Sequence, residues 1–138
     1  MKTRLFLVLL ITVATFGFVS AQHAEAVTIT ADWTGCITGA SFELNVEQPS
    51  TPANFYALDG IINAWGHPYP IRGAATMDTA SNLFRASLYF TSATGETFTI
   101  GMTVNPVTME GAGYSQRIAH GSVDSDCSGT LSGVVITP

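Results

Sequence analysis

Polar and apolar residues alternate with a period of two along most of this chain. Beyond the first 26 residues no stretch sustains the 3.6-residue apolar period of an amphipathic helix. Val27, Ile29, Ala31 and Trp33 alternate with Thr28, Thr30, Asp32 and Thr34. After a turn at Thr38-Gly39-Ala40, Phe42, Leu44 and Val46 alternate with Ser41, Glu43, Asn45 and Glu47. Segments 55–65, 69–77, 83–91 and the regular run 97–104 repeat the pattern, bounded by Gly, Pro, Asn and Ser. A seventh strand is expected over 109–123, with Gly111, Gly113 and Gly121 marking bulges or bends, and the last over 128–136. Eight antiparallel strands joined by short turns predict an all-β, up-and-down meander, and closing it into a barrel removes the exposed edges. A two-sheet β-sandwich is the alternative.

The first 26 residues read differently. Met1-Lys2-Thr3-Arg4 is a short positive start, followed by the apolar run from Leu5 to Val19 and then small residues. This is the layout of a secretory signal peptide, which is shorter than a membrane span. Cleavage after Ala21 or after Ala26 fits the small-x-small rule. Ala26 is favoured because strand-like alternation starts at Val27. The expected organisation is therefore a signal peptide over 1–26 and a single β-barrel domain over 27–138, secreted or periplasmic.

Export gives the two cysteines, Cys36 and Cys127, an oxidising compartment in which one disulfide is the simplest outcome. Their placement bears on the topology. Cys36 closes the first strand, at the rim reached by odd-numbered strands, and Cys127 precedes the last strand. Both reach one rim when the strand count is even, and barrel closure then sets the first and last strands side by side.

Without the leader, Arg72, Arg85 and Arg117 face nine carboxylates, a net charge of −6, and no lysine remains. A nucleic-acid binder needs a basic stripe to neutralise phosphates, and an anionic membrane surface asks the same. Charge thus argues against nucleic acid and disfavours anionic membrane surfaces, and Schiff-base chemistry is excluded for want of a lysine.

The segment Ala31-Asp32-Trp33-Thr34-Gly35, a tryptophan on the first strand of an eight-strand meander, resembles the opening of calycin barrels, the lipocalin and avidin superfamily. Ala31 stands where calycins usually have glycine. The resemblance implies ligand binding as a family habit and a barrel-floor packing role for Trp33; no other residue role carries over.

Recognition-type side chains are densest in Trp65-Gly66-His67-Pro68-Tyr69-Pro70-Ile71-Arg72. Trp65, His67, Tyr69 and Arg72 on a proline-stiffened hairpin are the expected ligand-binding rim. On strand three, the wholly apolar face (Tyr56, Leu58, Gly60, Ile62, Ala64) is expected inside, since a buried carboxylate needs partners. The other choice would enclose Asp59 and Asn63 beside Trp65. Asp124-Ser125-Asp126-Cys127-Ser128-Gly129 matches the first half of a calcium loop, with Asp124, Asp126 and Ser128 as oxygen donors. Position 12, however, is Val135 and not glutamate. Two histidines, His67 and His120, make no zinc ligand set with a disulfide, and no Gly-x-Ser-x-Gly elbow occurs.

No catalytic constellation emerges, so the expected function is non-enzymatic and without cofactor. The first reading is a monomeric exported barrel that binds a small apolar ligand at or inside one end. The alternative is a filled barrel or sandwich acting as a structural, adhesion or inhibitor-like module on an extracellular protein. The expected inward set, from Trp33 and Phe42 to Ile100 and Met102, is mostly bulky; Gly73, Ala75 and Ala86 are the small positions that leave room.

Overall fold

The alternation resolves into eight strands in the computed structural model, which describes residues 27–47 and 54–137. They are β1 (Val27–Thr34), β2 (Ala40–Glu47), β3 (Phe55–Ala64), β4 (His67–Asp78), β5 (Leu83–Thr91), β6 (Thr97–Asn105), β7 (Glu110–Ala119) and β8 (Ser122–Thr137). Each pairs antiparallel with the next, and β8 returns to β1 to close the barrel. The expected signal peptide lies outside the described residues.

Closure is made by β1 and β8, which pair from Thr28–Thr137 to Thr34–Thr130, with the two hydroxyls of the last pair 2.9 Å apart. The register shifts once, between Thr30 and Asp32, where Gly133 and Val134 oppose the single residue Ala31. Gly133 has a φ of +62°, the left-handed geometry that starts a bulge of this kind. The bulge bends the long β8 around the barrel wall.

Period two places one face of every strand inside. Trp33, Phe42, Leu44, Leu58, Ile62, Ile71, Leu88, Phe90, Phe98, Ile100 and Met102 are all buried, as expected from sequence. Strand β3 turns its apolar face inward and leaves Asp59 exposed. The outward positions carry Asp32, Glu43, Asn45, Glu47, Arg72 and Arg85, the reverse of a lipid-embedded barrel, whose outer band is apolar. Among the described residues no helix is long and apolar enough to cross a membrane.

Cys36 and Cys127 form the expected disulfide, with their Cα atoms 5.8 Å apart, an ordinary bridging distance. The last reversal differs from expectation. The chain turns at His120-Gly121, both with positive φ, and Asp124 to Cys127 lie within β8 rather than in a turn before it. Hairpin β7–β8 thus projects past the end of β1, and the loop after β1 folds back against it, burying Ile37 completely and bringing Cys36 to Cys127. Strand parity was right, although the two cysteines join a loop to a strand. A second hairpin, β3–β4, also projects at this end. Strand β5 pairs with β4 only from Arg72 onward, so residues 67–71, including Pro68 and Pro70, ladder with β3 alone among the described residues.

At the opposite end, Asp78 organises the turn between β4 and β5. Its Oδ1 accepts from the amides of Ala80 at 3.1 Å and Ser81 at 3.4 Å, and its Oδ2 from Arg85 at 3.2 Å. The Ser81 hydroxyl, followed by these amides, holds the carboxyl below its ordinary value of 3.8. A carboxylate with a lowered folded-state pKa stabilises the fold above the unfolded value and loses that contribution as pH falls through the folded one. Asp78→Asn is therefore expected to lower the melting temperature at neutral pH. The gap to the native protein should close as the pH is taken below about 4. A gap that is constant with pH would show that the turn's stability does not come from the ionised group.

Candidate functional site

The barrel interior is divided along its axis. The half nearest the disulfide is filled: Trp33, Ile37, Ile62, Ile71, Phe90 and Ile100 are each no more than 2 % exposed. Trp33 stands edge-on to Phe42, with ring centroids 6.4 Å apart, and its indole lies where a side chain at Gly129 would otherwise be. The interior of an eight-stranded barrel is just wide enough to be filled in this way or to hold one small molecule. Here one half is filled and the other half is hollow.

The other half encloses a cavity of about 240 Å³. Its walls come from all the strands but β7, through residues such as Ile29, Leu44, Leu58, Phe84, Met102 and Leu131. Pro106 and Met109 of the β6–β7 turn stand at its end. Room exists because Ala31, Ala75 and Ala86 occupy inward positions where the filled half carries rings and branched chains. Ala75 and Ala86 are direct cross-strand partners, so two small side chains lie side by side on the inner wall. The lining offers no charged group. A dry cavity of roughly 150 Å³ is known to hold benzene, so this one suits a molecule somewhat larger.

The expected rim residues do not border this cavity; they belong to the opposite, disulfide end. Trp65 and Tyr69 come together there, with ring centroids 6.3 Å apart, over Phe90 and Phe98. His67 is exposed at the hairpin tip, and Arg72 is on the outer wall, opposite Asp59 and Tyr89. The hairpin therefore separates the four residues into an aromatic pair and two outlying polar groups.

Trp65 has a φ of +51°, followed by Gly66 at +79°, so a bulky side chain occupies the first position of a tight hairpin turn that asparagine usually fills. A non-glycine residue held there costs on the order of 1–3 kcal/mol. The conformation swings the indole over the end of the barrel, where its centroid is 5.1 Å from Phe98 while 44 % of the residue stays exposed. Beside it opens a recess of about 560 Å³, walled on its other sides by Ser92, Thr94, Glu96, Arg117 and Ser125. Its polar groups are tied together. The Thr94 hydroxyl donates to Glu96 at 3.1 Å, and Arg117 is 3.5 Å from Glu96. Arg117 also donates to Asp124 from Nε at 2.7 Å, and this hydrogen bond, with the charge of Asp124, raises the guanidinium's pKa above its ordinary value.

That contact also bears on the calcium pattern. Asp124 is engaged by Arg117, and Asp124, Asp126 and Ser128 are alternate residues of an extended strand, with successive members spaced roughly 6.6 Å apart. Among the described residues no group of three or more His, Cys, Asp or Glu side chains is placed to hold a metal ion. Two buried polar atoms, Trp33 Nε1 and Ser115 Oγ, have no hydrogen-bond partner among the described residues. Compared with known proteins, the chain matches no protein-family model, and no curated protein matches it significantly.

Proposed function

We propose that this protein is an exported, non-enzymatic barrel that takes up one small, uncharged apolar molecule in the cavity remote from the disulfide, in the manner of calycins. The observation that carries the reading is the uneven interior. One half is packed solid, while the other keeps an apolar hollow over the side-by-side alanines Ala75 and Ala86. Core interiors are normally filled to crystal-like density, and a void of this size forfeits packing contacts unless something occupies it.

The lining also sets the ligand class. No polar atom is presented to the cavity, Tyr56 lining it by its ring, so selectivity comes from size and apolarity. Withdrawing about 200 Å² of apolar ligand surface contributes about 5 kcal/mol, which corresponds to a dissociation constant of about 0.2 mM, lower for ligands that fill the space better. A carboxylate would be rejected, because burying its charge there has no compensating partner. Apart from Tyr56, the lining has no side chain suited to moving a proton, which favours binding over catalysis.

Naphthalene is a suitable probe, with 2-naphthoate as its charged counterpart. Calorimetry is expected to show saturable naphthalene binding at one site and none for the naphthoate. Ala86→Leu should fill the hollow, abolish binding and leave the unliganded protein as stable as before or more so. Equal binding by Ala86→Leu and the native protein would place the ligand elsewhere and overturn the assignment.

A further inference from the structure

We propose that the recess at the disulfide end is a second binding site, for a neutral carbohydrate chain, with Trp65 as its stacking platform. Four observations converge there. Trp65 is held in a left-handed turn conformation that bulky residues avoid, and it is held with its indole half exposed. A residue needed simply to cover the barrel end would be better served by a relaxed backbone and a fully buried ring. The ring is also immobilised from beneath by Phe98 and Phe90, which stack on each other at 5.1 Å. A platform fixed before the ligand arrives loses little freedom on binding.

The third observation is the chemistry of the surrounding wall. Ser92, Thr94 and Ser125 supply hydroxyls that both donate and accept, Glu96 accepts, and Arg117 donates. The fourth is charge: Arg117, the one cation of the wall, is already engaged by both Glu96 and Asp124, so the recess offers no free positive charge to draw an anion. A flat apolar face beside a fixed set of mixed donors and acceptors, in a shallow open recess, is complementary to a pyranose ring. Such a ring has a C–H face for the indole and a rim of hydroxyls for the wall. A hydrocarbon would displace water from the polar wall without replacing its hydrogen bonds.

The site is independent of the apolar cavity, since the two share no lining residue. The test is titration of the intact, disulfide-bonded protein with a panel of neutral tetrasaccharides (cello-, xylo-, manno-, galacto- and chito-series), followed by tryptophan emission and amide chemical shifts. At least one is expected to bind and to shift the emission of Trp65, because Trp33 is sealed in the core. Trp65→Ala is expected to weaken binding by about tenfold or more. Glu96→Gln keeps the shape of the recess while removing one charged acceptor from its wall. It should weaken binding with the melting temperature little changed, which covers the case of a Trp65 variant that folds poorly. Naphthalene binding should be unaltered by either substitution, so a failure here leaves the cavity assignment standing. Absence of binding across the panel, or binding indifferent to both substitutions, overturns the proposal. So does a proline-rich peptide that competes for Trp65 where no sugar binds, which would reassign the recess to a protein partner.

Discussion

Reducing the Cys36–Cys127 disulfide is expected to lower the melting temperature by on the order of 15–30 °C. The bridge joins residues 91 apart in sequence. In the chain-entropy model a loop of that length raises the free energy of the unfolded chain by about 4–5 kcal/mol. Domains of this size have a total stability of about 5–15 kcal/mol, so the bridge is a large share of the whole. It also acts where the fold closes. Strands β1 and β8 come from opposite ends of the described chain, and their ladder is interrupted by the bulge at Gly133. Thermal melts with and without dithiothreitol, alongside the Cys36→Ser/Cys127→Ser double variant, measure the effect. An unchanged melting temperature on full reduction would mean that the β1–β8 ladder holds the barrel closed unaided.

The second large effect is expected at Trp33. It is the largest side chain in the filled half and is 1 % exposed. Trp33→Ala should cost about 3–5 kcal/mol, through lost burial and a void that the stiff barrel wall cannot close. Its neighbour supplies a matched test. A Cβ at Gly129 would fall within the indole itself, so Gly129→Ala overpacks the same spot, at a cost of about 1–3 kcal/mol. The two changes should not add. In a Trp33→Phe background, where the smaller ring leaves space, Gly129→Ala should lose much of its penalty, and urea denaturation of the four proteins reads that coupling directly. Strict additivity would show that the tryptophan and the glycine do not share one packing site.

Strand number, closure, inward faces and disulfide were legible because a half-buried strand must alternate, and alternation survives in the sequence without any alignment. Even the hollow left a trace, in Ala75 and Ala86. Position along the barrel axis was not legible. Trp65, His67, Tyr69 and Arg72 look like one cluster because they are close in sequence, yet a strand places successive side chains on opposite faces. Arg72 therefore points away from Tyr69 despite being three residues on. Strict alternation would also have put Trp65 outside, with Asp59 and Asn63. The positive φ at the turn breaks the alternation and carries the indole over the barrel end, a backbone choice that no side-chain pattern encodes. The His120-Gly121 turn reads in sequence only as a bulge or bend at Gly121, for a similar reason. It lacks the asparagine that signals such a turn, whereas Asp124-Ser125-Asp126 has turn-like composition and is extended.

The two prolines of β4 have a consequence beyond stiffness. Among the described residues, 67–71 ladder with β3 alone, so one side of this projecting strand has no neighbour there. A free strand side with regularly spaced amide donors invites another chain to add to the sheet. Pro68 and Pro70 are alternate residues, so the donors they lack lie on the same side, and pairing with β3 continues through both, which makes it the open side. The hairpin can thus project from a closed barrel and present Trp65 to solvent without templating the fibrous self-association that an exposed edge promotes.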